Sequence, residues 1–202
     1  MADLPLDLDW PLVLRVQTLG DRQAFAELVR RHQGLLRTTL RRLCGGQAAW
    51  ADELCQEAFL KAWQGLPAFA GRARFRTWLF RLAYNEFLQA ARRSEQRLAR
   101  NTQALDGAGL EAAADAGALP AGPTDGLERH VALHLDLQRA LQRLGDDERA
   151  AIVHCCMADF SHAEAAAVLG LPLGTVKTHV LRGRAKLQAA LSGWATPTGE
   201  TR

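Results

Sequence analysis

Tyrosine occurs once in these 202 residues, and aromatic side chains make up only 6% of them. Strands favour aromatic and β-branched residues, so a chain dominated by Ala, Leu and Arg is expected to be helical. Cysteine is scarce too. Cys44, Cys55, Cys155 and Cys156 are the full set, and none forms C-x-x-C. That pattern supplies neither a disulfide framework nor a zinc ribbon, and it reads as packing thiols in a reduced, cytoplasmic protein. No segment approaches the ~18 consecutive apolar residues of a membrane span. The first residues carry Asp3, Asp7 and Asp9 without Lys or Arg, which is not the pattern of a secretory signal. With 48% hydrophobic residues the composition is that of a folded chain, with room for one domain or two small ones.

The net charge is only +3, but it is unevenly spread. Arg72, Arg74, Arg76, Arg81, Arg92, Arg93, Arg97 and Arg100 face only Glu86 and Glu95 within residues 72–100. Lys177, Arg182, Arg184 and Lys186 stand without an acid in residues 174–191. Between these blocks, residues 101–128 hold Asp106, Glu111, Asp115, Asp125 and Glu128 and no base. Two basic blocks joined by an acidic stretch point to two surfaces for a polyanion. Solvated helix faces are the plainer alternative.

Apolar periodicity places the helices. Leu12 to Leu19 form a short one ended by Gly20, and Asp21 is a good N-cap for the next. There Phe25, Leu28, Val29, His32, Leu35, Leu36, Thr39, Leu40 and Leu43 recur at steps of three and four. A third helix runs over about residues 49–64, and a short loop at 69–74 leads to a fourth over about 75–97. The inner face of that fourth helix reads Phe75, Trp78, Leu79, Leu82, Ala83 and Phe87. Such helices with short connections form a compact bundle. Small residues, Gly, Pro and acids without period then mark a linker over 101–126. Helices return near Leu127, with Leu133, Leu137, Ala140, Leu141 and Leu144 on one stripe, followed by Ile152, Val153, Cys156 and Met157 on the next helix.

Ser161-His-Ala-Glu164 is a capping box. It opens a short helix stopped at Gly170, with Pro172 barring continuation. The last helix buries Val176, Val180, Gly183 and Leu187, leaving Thr175, Lys177, Thr178, His179, Arg182 and Lys186 outside. This is the organisation of a helix-turn-helix, whose second helix presents side chains to bases and phosphates. An αα-hairpin with a basic face is the alternative.

Ser161 through Leu187, with the preceding Ala140-Leu-Gln-Arg-Leu-Gly-Asp-Asp-Glu-Arg149, resembles the fourth domain of extracytoplasmic-function sigma factors. Response-regulator helix-turn-helix proteins share the Gly-x-Val-Lys-x-His pattern, but the N-terminal half resembles sigma factors as well. Ala24-Phe-Ala-Glu-Leu-Val-Arg-Arg-His32 is similar to the first long helix of sigma domain two. Asp52-Glu-Leu-Cys-Gln-Glu-Ala-Phe-Leu-Lys-Ala-Trp63 is similar to its polymerase-binding helix. Phe75-Arg-Thr-Trp-Leu-Phe-Arg-Leu-Ala-Tyr-Asn85 and Arg92-Arg93 are similar to its melting and −10-reading helix.

The resemblance implies an all-α protein of two small domains. Residues 10–98 would be sigma domain two, 99–127 a flexible acidic linker, 128–192 sigma domain four, and 193–202 a tail. It implies that Asp52, Glu53, Gln56, Glu57, Leu60 and Trp63 dock on the clamp helices of the largest RNA polymerase subunit. Arg72, Arg74, Arg76, Arg81, Tyr84, Asn85, Gln89, Arg92 and Arg93 would meet the −10 element. Thr175, Lys177, Thr178, His179, Arg182 and Lys186 would read the −35 element, with domain four on the polymerase flap. The implied partners are core polymerase, promoter DNA and an anti-sigma factor, with no cofactor, no metal and no small-molecule substrate. The chain departs from the family's pattern at Glu53, Tyr84 and Gln89, where Asp, Arg and Asp are usual.

Enzymatic readings fit poorly. Gly170-Leu-Pro-Leu-Gly-Thr-Val-Lys-Thr178 lacks the phosphate-loop spacing and a preceding strand, and His162-Ala-Glu164 lacks the P-C-x-x-C of a deaminase. A metal or redox site from His130, His134, His154, Cys155 and Cys156 is the remaining alternative, against surface histidines and buried thiols. A two-domain regulator with a sensor N-terminus is the competing function, and it would need a ligand pocket or a phosphoacceptor sheet.

Overall fold

The computed structural model describes residues 8–102 and 125–194. Every regular element among them is helical: α1 Trp10–Leu19, α2 Arg22–Leu43, α3 Ala48–Gly65, α4 Phe75–Thr102, α5 Asp125–Gln142, α6 Asp146–Ile152, α7 His162–Leu169 and α8 Leu173–Ala190. A π turn spans Val153–Met157, and single 3-10 turns lie at Leu66–Ala68 and Ser192–Trp194. Asp106, Glu111 and Asp115 of the expected linker, and the tail from residue 195, lie outside the described residues.

Local signals start and stop these helices where the sequence places them. Asp21 Oδ1 accepts from the Gln23 and Ala24 amides at 2.9 and 3.0 Å, satisfying donors that the first turn of α2 leaves open. At α7 the Ser161 hydroxyl accepts from the Glu164 amide at 3.2 Å, while the Glu164 carboxylate takes the Ser161 amide at 3.0 Å. Gly170 ends α7 at φ +69°, a left-handed geometry in which a Cβ is strained.

The first bundle packs α2, α3 and α4 around Leu28, Leu36, Leu40, Phe75 and Leu79. On α3 the buried residues include Ala51, Ala58 and Ala62, whose small side chains let the neighbouring helices come close. Each large apolar side chain buried here contributes about 1.5–3 kcal/mol relative to exposure. α1 is pinned by polar contacts: the buried Asp9 carboxylate meets His32 Nε2 at 2.7 Å, and Arg31 lies at 3.3 Å. Between α3 and α4, Lys61 Nζ donates to the largely buried Glu86 carboxylate at 2.5 Å. The second module packs Leu141, Leu144, Ala151, Ile152, Val153, Val168, Val176 and Val180.

Three features differ from the sequence reading. α4 runs to Thr102 and α5 begins at Asp125, so both are longer than the periodicity indicated. A single helix was expected through Met157, but it widens into a π turn closed by an Ala158 amide to Val153 carbonyl bond of 2.9 Å. Finally, α4 buries Phe80 and Tyr84 as well as its inner stripe, because α7 and the rings of His154 and Phe160 pack against that second face. The two modules therefore share one continuous apolar core. A second point of contact is the end of α2, where Gln142 Nε2 donates to the Gly45 carbonyl at 2.9 Å.

Candidate nucleic-acid interface

Three surfaces carry the residues singled out above. On α3 the exposed strip is Glu53, Gln56 and Leu60, with Glu57 half-buried beside it. Steps of three and four put these four on one face. Leu60 is half exposed, an apolar group amid carboxylates. Asp52 stands at the edge of this strip and is held by Arg37 and Arg41 of α2 at 3.0 and 3.5 Å. Trp63 turns away: its ring meets Phe25 edge-on at 5.0 Å, so it packs within the bundle.

The second surface is the 69–74 loop with the outward side of α4. The loop is fixed from α1. Gln17 Nε2 donates to the Leu66 and Phe69 carbonyls at 2.9 and 2.8 Å. Trp10 lies against Gly71, which takes φ +65°, and a methyl group there would sit 2.8 Å from the indole. Behind the loop is a cavity of about 410 Å³ lined by Phe69, Thr77, Trp78 and Ala167, with Arg72 and Arg81 also on its wall. Phe69 and Trp78 stand 4.7 Å apart, so the wall of this cavity is aromatic and its charged groups are cationic. Arg81, Asn85, Gln89, Arg92 and Arg93 continue along the exposed face of α4, and Arg93 donates to the Gln89 carboxamide at 3.3 Å. Cations for phosphates beside a carboxamide for a base edge are the chemistry of single-strand binding.

Two residues expected in this group, Tyr84 and Arg76, lie elsewhere, and a third, Arg74, stays exposed on the loop but pairs with the second module. Tyr84 is 6% exposed and faces the second module, its ring edge-on to His154 at 5.7 Å. Burial, with Asp147 and Asp146 nearby, pushes its phenol up to about 12, so it stays protonated. Arg76 donates to the Ala158 carbonyl, with its guanidinium over the Phe160 ring. Arg74 reaches the Glu164 carboxylate at 3.5 Å. The sequence offered only one breadth of apolar stripe for α4, and the second buried face comes from residues about eighty positions away.

The third surface is α8. Lys177, Thr178 and Arg182 are exposed along it. Thr178 also donates back to the Gly174 carbonyl at 3.0 Å, a bond within the helix. Thr175 and His179 are half-buried. Lys186 pairs with the Glu148 carboxylate at 2.6 Å, and this bond holds that acid below the usual carboxylate range. One residue of this face was missed by the sequence reading. Leu181 is 72% exposed on the same side as Thr178 and Arg182, and Arg184 of the basic block is exposed one turn beyond. An apolar residue at an outward position of a basic helix was the available signal; such a side chain can meet a thymine methyl.

Of the alternative metal set, the side chain of His130 lies outside the described ones, and the other members are engaged separately. His154 Nδ1 donates to the Ala150 carbonyl at 2.8 Å, His134 meets Gln138, and Cys156 takes a bond from Arg184 at 3.4 Å. Burial pushes the Cys155 thiol up to about 11, so it holds its proton. Among the described residues no group of three or more His, Cys, Asp or Glu could hold a metal ion, and no helix is long and apolar enough to cross a membrane.

Known proteins resemble both modules. Residues 28–97 match the sigma-70 region 2 family and residues 134–187 match sigma-70 region 4. RNA polymerase sigma factor CnrH of Cupriavidus metallidurans is 34% identical over 190 residues, covering 93% of this chain and 96% of that protein. ECF RNA polymerase sigma factor SigM of Mycobacterium tuberculosis is 35% identical over 179 residues, 89% of this chain and 83% of that one. The solved structure of sigma factor RpoE with the anti-sigma factor NepR from Bartonella quintana superposes with a TM-score of 0.66 at 26% identity, covering 84% of this chain and 98% of that one. Two helical modules in this order, each matched by its own region of the family and both covered by such relatives, place the chain among the ECF RNA polymerase sigma factors.

Proposed function

We propose that the chain directs core RNA polymerase to promoters bearing −35 and −10 elements and helps open them, under the control of an anti-sigma factor. The observation that carries this reading is the placement of an acidic strip and a cationic, aromatic-walled strand face on one rigid bundle. Glu53, Gln56, Glu57 and Leu60 offer acceptors and an apolar contact to a basic helical partner. Arg72, Arg81, Asn85, Gln89, Arg92 and Arg93 face the −10 element. The helix-turn-helix supports the −35 contact through Lys177, Thr178, Arg182 and Leu181. Its other expected residues, Thr175, His179 and Lys186, flank that strip.

The division of labour follows: residues 10–98 hold polymerase and the −10 strand, 128–192 hold the −35 element, and 99–127 join them. The chain works by binding rather than catalysis. Opening a duplex costs unstacking and unpairing energy, a few kcal/mol per extruded base. A protein without a nucleotide fuel meets that cost only by holding the exposed strand better than the duplex. The cavity between the loop and Trp78 suits an unstacked base, and the arginines at its wall suit the flanking phosphates.

Run-off transcription with core polymerase and a promoter library tests the reading. The expected result is start-site selection that needs both this chain and core enzyme, with two conserved boxes among the selected promoters. Core enzyme that is unaffected by the chain overturns it.

A further inference from the structure

α1 lies ahead of residues 28–97, the stretch matched to sigma-70 region 2, yet it makes the contacts that shape the strand-facing loop. The Gln17 carboxamide donates from Nε2 to two carbonyls about fifty positions away, Leu66 at 2.9 Å and Phe69 at 2.8 Å. The Phe69 amide also donates to the Leu66 carbonyl at 3.0 Å, closing the turn that leads into the loop. One side chain thus staples both ends of that turn. Farther along the loop, the Trp10 indole fills the space that a Cβ at Gly71 would need, its nearest ring atom lying 2.8 Å from that point. Two points on one helix, about two turns apart, therefore fix the path of the loop.

α1 is itself held on α2. At its start Asp9 Oδ2 meets His32 Nε2 at 2.7 Å, and Arg31 donates to the Leu8 carbonyl at 3.2 Å. At its end Arg15 pairs with Asp21 at 2.6 Å. Val13 and Val16 are buried against the bundle between these ties. The loop is thereby anchored through α1 to the body of the bundle. Phe69, whose carbonyl Gln17 engages, is also the ring that faces Trp78 on the cavity wall. Ala70, Gly71 and Ala73 give the loop little of their own to set its path. Ordering it only when DNA arrives would subtract from binding, and ordering it beforehand leaves that free energy to the strand contact.

We infer that Gln17, with Trp10, is a positioning residue for strand capture: α1 holds the 69–74 loop in its DNA-binding form before DNA arrives. The inference deepens the reading of α4 and its loop given above and rests on it. It adds that the donors of Gln17, and not its bulk, set the mouth of the cavity and the direction of Arg72. Their loss weakens capture of the −10 strand and leaves the polymerase-facing strip of α3 and the −35 face of α8 as they were. Neither Gln17 nor Trp10 touches the strand in this role.

The test compares Gln17→Leu, Gln17→Glu, Gln17→Lys and Trp10→Ala in the full chain. Gln17→Leu keeps an apolar body and donates nothing, Gln17→Glu sets an acceptor against two carbonyls, and Gln17→Lys restores a donor. Hydrogen exchange over residues 66–74 of the free chain reads the loop. Holoenzyme assembled on core polymerase then takes a labelled non-template-strand oligonucleotide carrying a −10 box chosen by promoter-library run-off. Affinities for core polymerase and for −35 duplex are measured beside it. The expected result is faster loop exchange in Gln17→Leu, Gln17→Glu and Trp10→Ala, with strand binding weakened about three- to tenfold. Gln17→Lys recovers toward the parent, and the other two affinities stay unchanged throughout. Unchanged exchange in Gln17→Leu and Gln17→Glu, unchanged strand binding, or a Gln17→Lys chain no better than Gln17→Leu overturns the proposal. So does an equal loss of polymerase affinity, which would make Gln17 a residue of the fold at large. Arg81→Ala in the same strand assay judges the underlying reading. Unchanged binding there overturns α4 as the strand face, while loop exchange judges the brace by itself.

Discussion

Gly183 lies beneath Ile152 so closely that a methyl group at position 183 would sit 2.7 Å from Ile152 Cγ1 and 3.2 Å from Cδ1. The glycine is the point where α8 crosses α6, and its lack of a side chain sets the approach of the helix proposed to read DNA to its support. Gly183→Ala gains about 1 kcal/mol of helix propensity. It also overpacks a filled core, which costs about 1–3 kcal/mol. The expected net effect is destabilisation of about 1 kcal/mol by urea unfolding, with recovery in the double variant Gly183→Ala/Ile152→Val. A more stable Gly183→Ala chain would show that the crossing has slack.

The buried histidine makes the fold sensitive to acid. His154 is ringed by Phe80, Tyr84 and Phe160, and burial pulls its imidazole down to about 4 despite the Ala150 carbonyl bond. The folded value lies below the unfolded one near 6.5, so between them only the unfolded chain binds the proton. The His154 contribution should be level above pH 6.5 and fall as pH drops toward 4, by about 3 kcal/mol across that window. His154→Leu should flatten this part of the profile. Urea midpoints at successive pH values check it, and an equal slope in His154→Leu would assign the loss to other groups.

Arg81 and Asn85 should fail in different ways. Arg81 offers charge to a phosphate, so Arg81→Ala should weaken promoter complexes at all sequences and reduce the salt slope by about 1. Asn85 offers a carboxamide to a base edge, so Asn85→Ala should relax sequence preference in the −10 box at one position, by about 1–3 kcal/mol of discrimination. Promoter-library run-off at several salt concentrations distinguishes the two patterns.

On α8 two lysines of the same basic face should part company. Lys177 is exposed, whereas Lys186 is tied to Glu148. Lys177→Ala should lower −35 duplex affinity and its salt slope with unchanged unfolding. Lys186→Ala should move the unfolding midpoint, leaving Glu148 without its cation at the root of α6. A titration of −35 duplex beside a urea curve for each variant reads both quantities.

Much of this was legible in the chain itself. Asp21, Ser161 and Gly170 act within a few residues of where they sit, so helix ends and the helix-turn-helix could be read locally. The stripe of α2 served for the same reason, since each of its apolar residues faces one partner layer. Tyr84 and Arg76 were not legible. Both lie on a helix with two buried faces, and the second face is covered by His154, Ala158 and Phe160, which no local period connects to α4. Trp63 misled because spacing from Leu60 places it one turn away without saying that Phe25 claims its ring. The π turn at Val153–Met157 follows no propensity rule, since it differs from an α turn only in which carbonyl each amide selects.

The Lys61–Glu86 bond has a mechanical consequence. It joins the helix proposed to grip polymerase to the helix proposed to grip the parted strand, with the Glu86 carboxylate largely buried and Lys61 partly exposed, so salt screens it less than a surface pair. Together with the apolar packing of α3 on α4, it couples the two ends of the bundle. On the proposed reading, the position of the unpaired nucleotides relative to the catalytic centre of the enzyme follows from the geometry of one small bundle, and with it the choice of the first transcribed base.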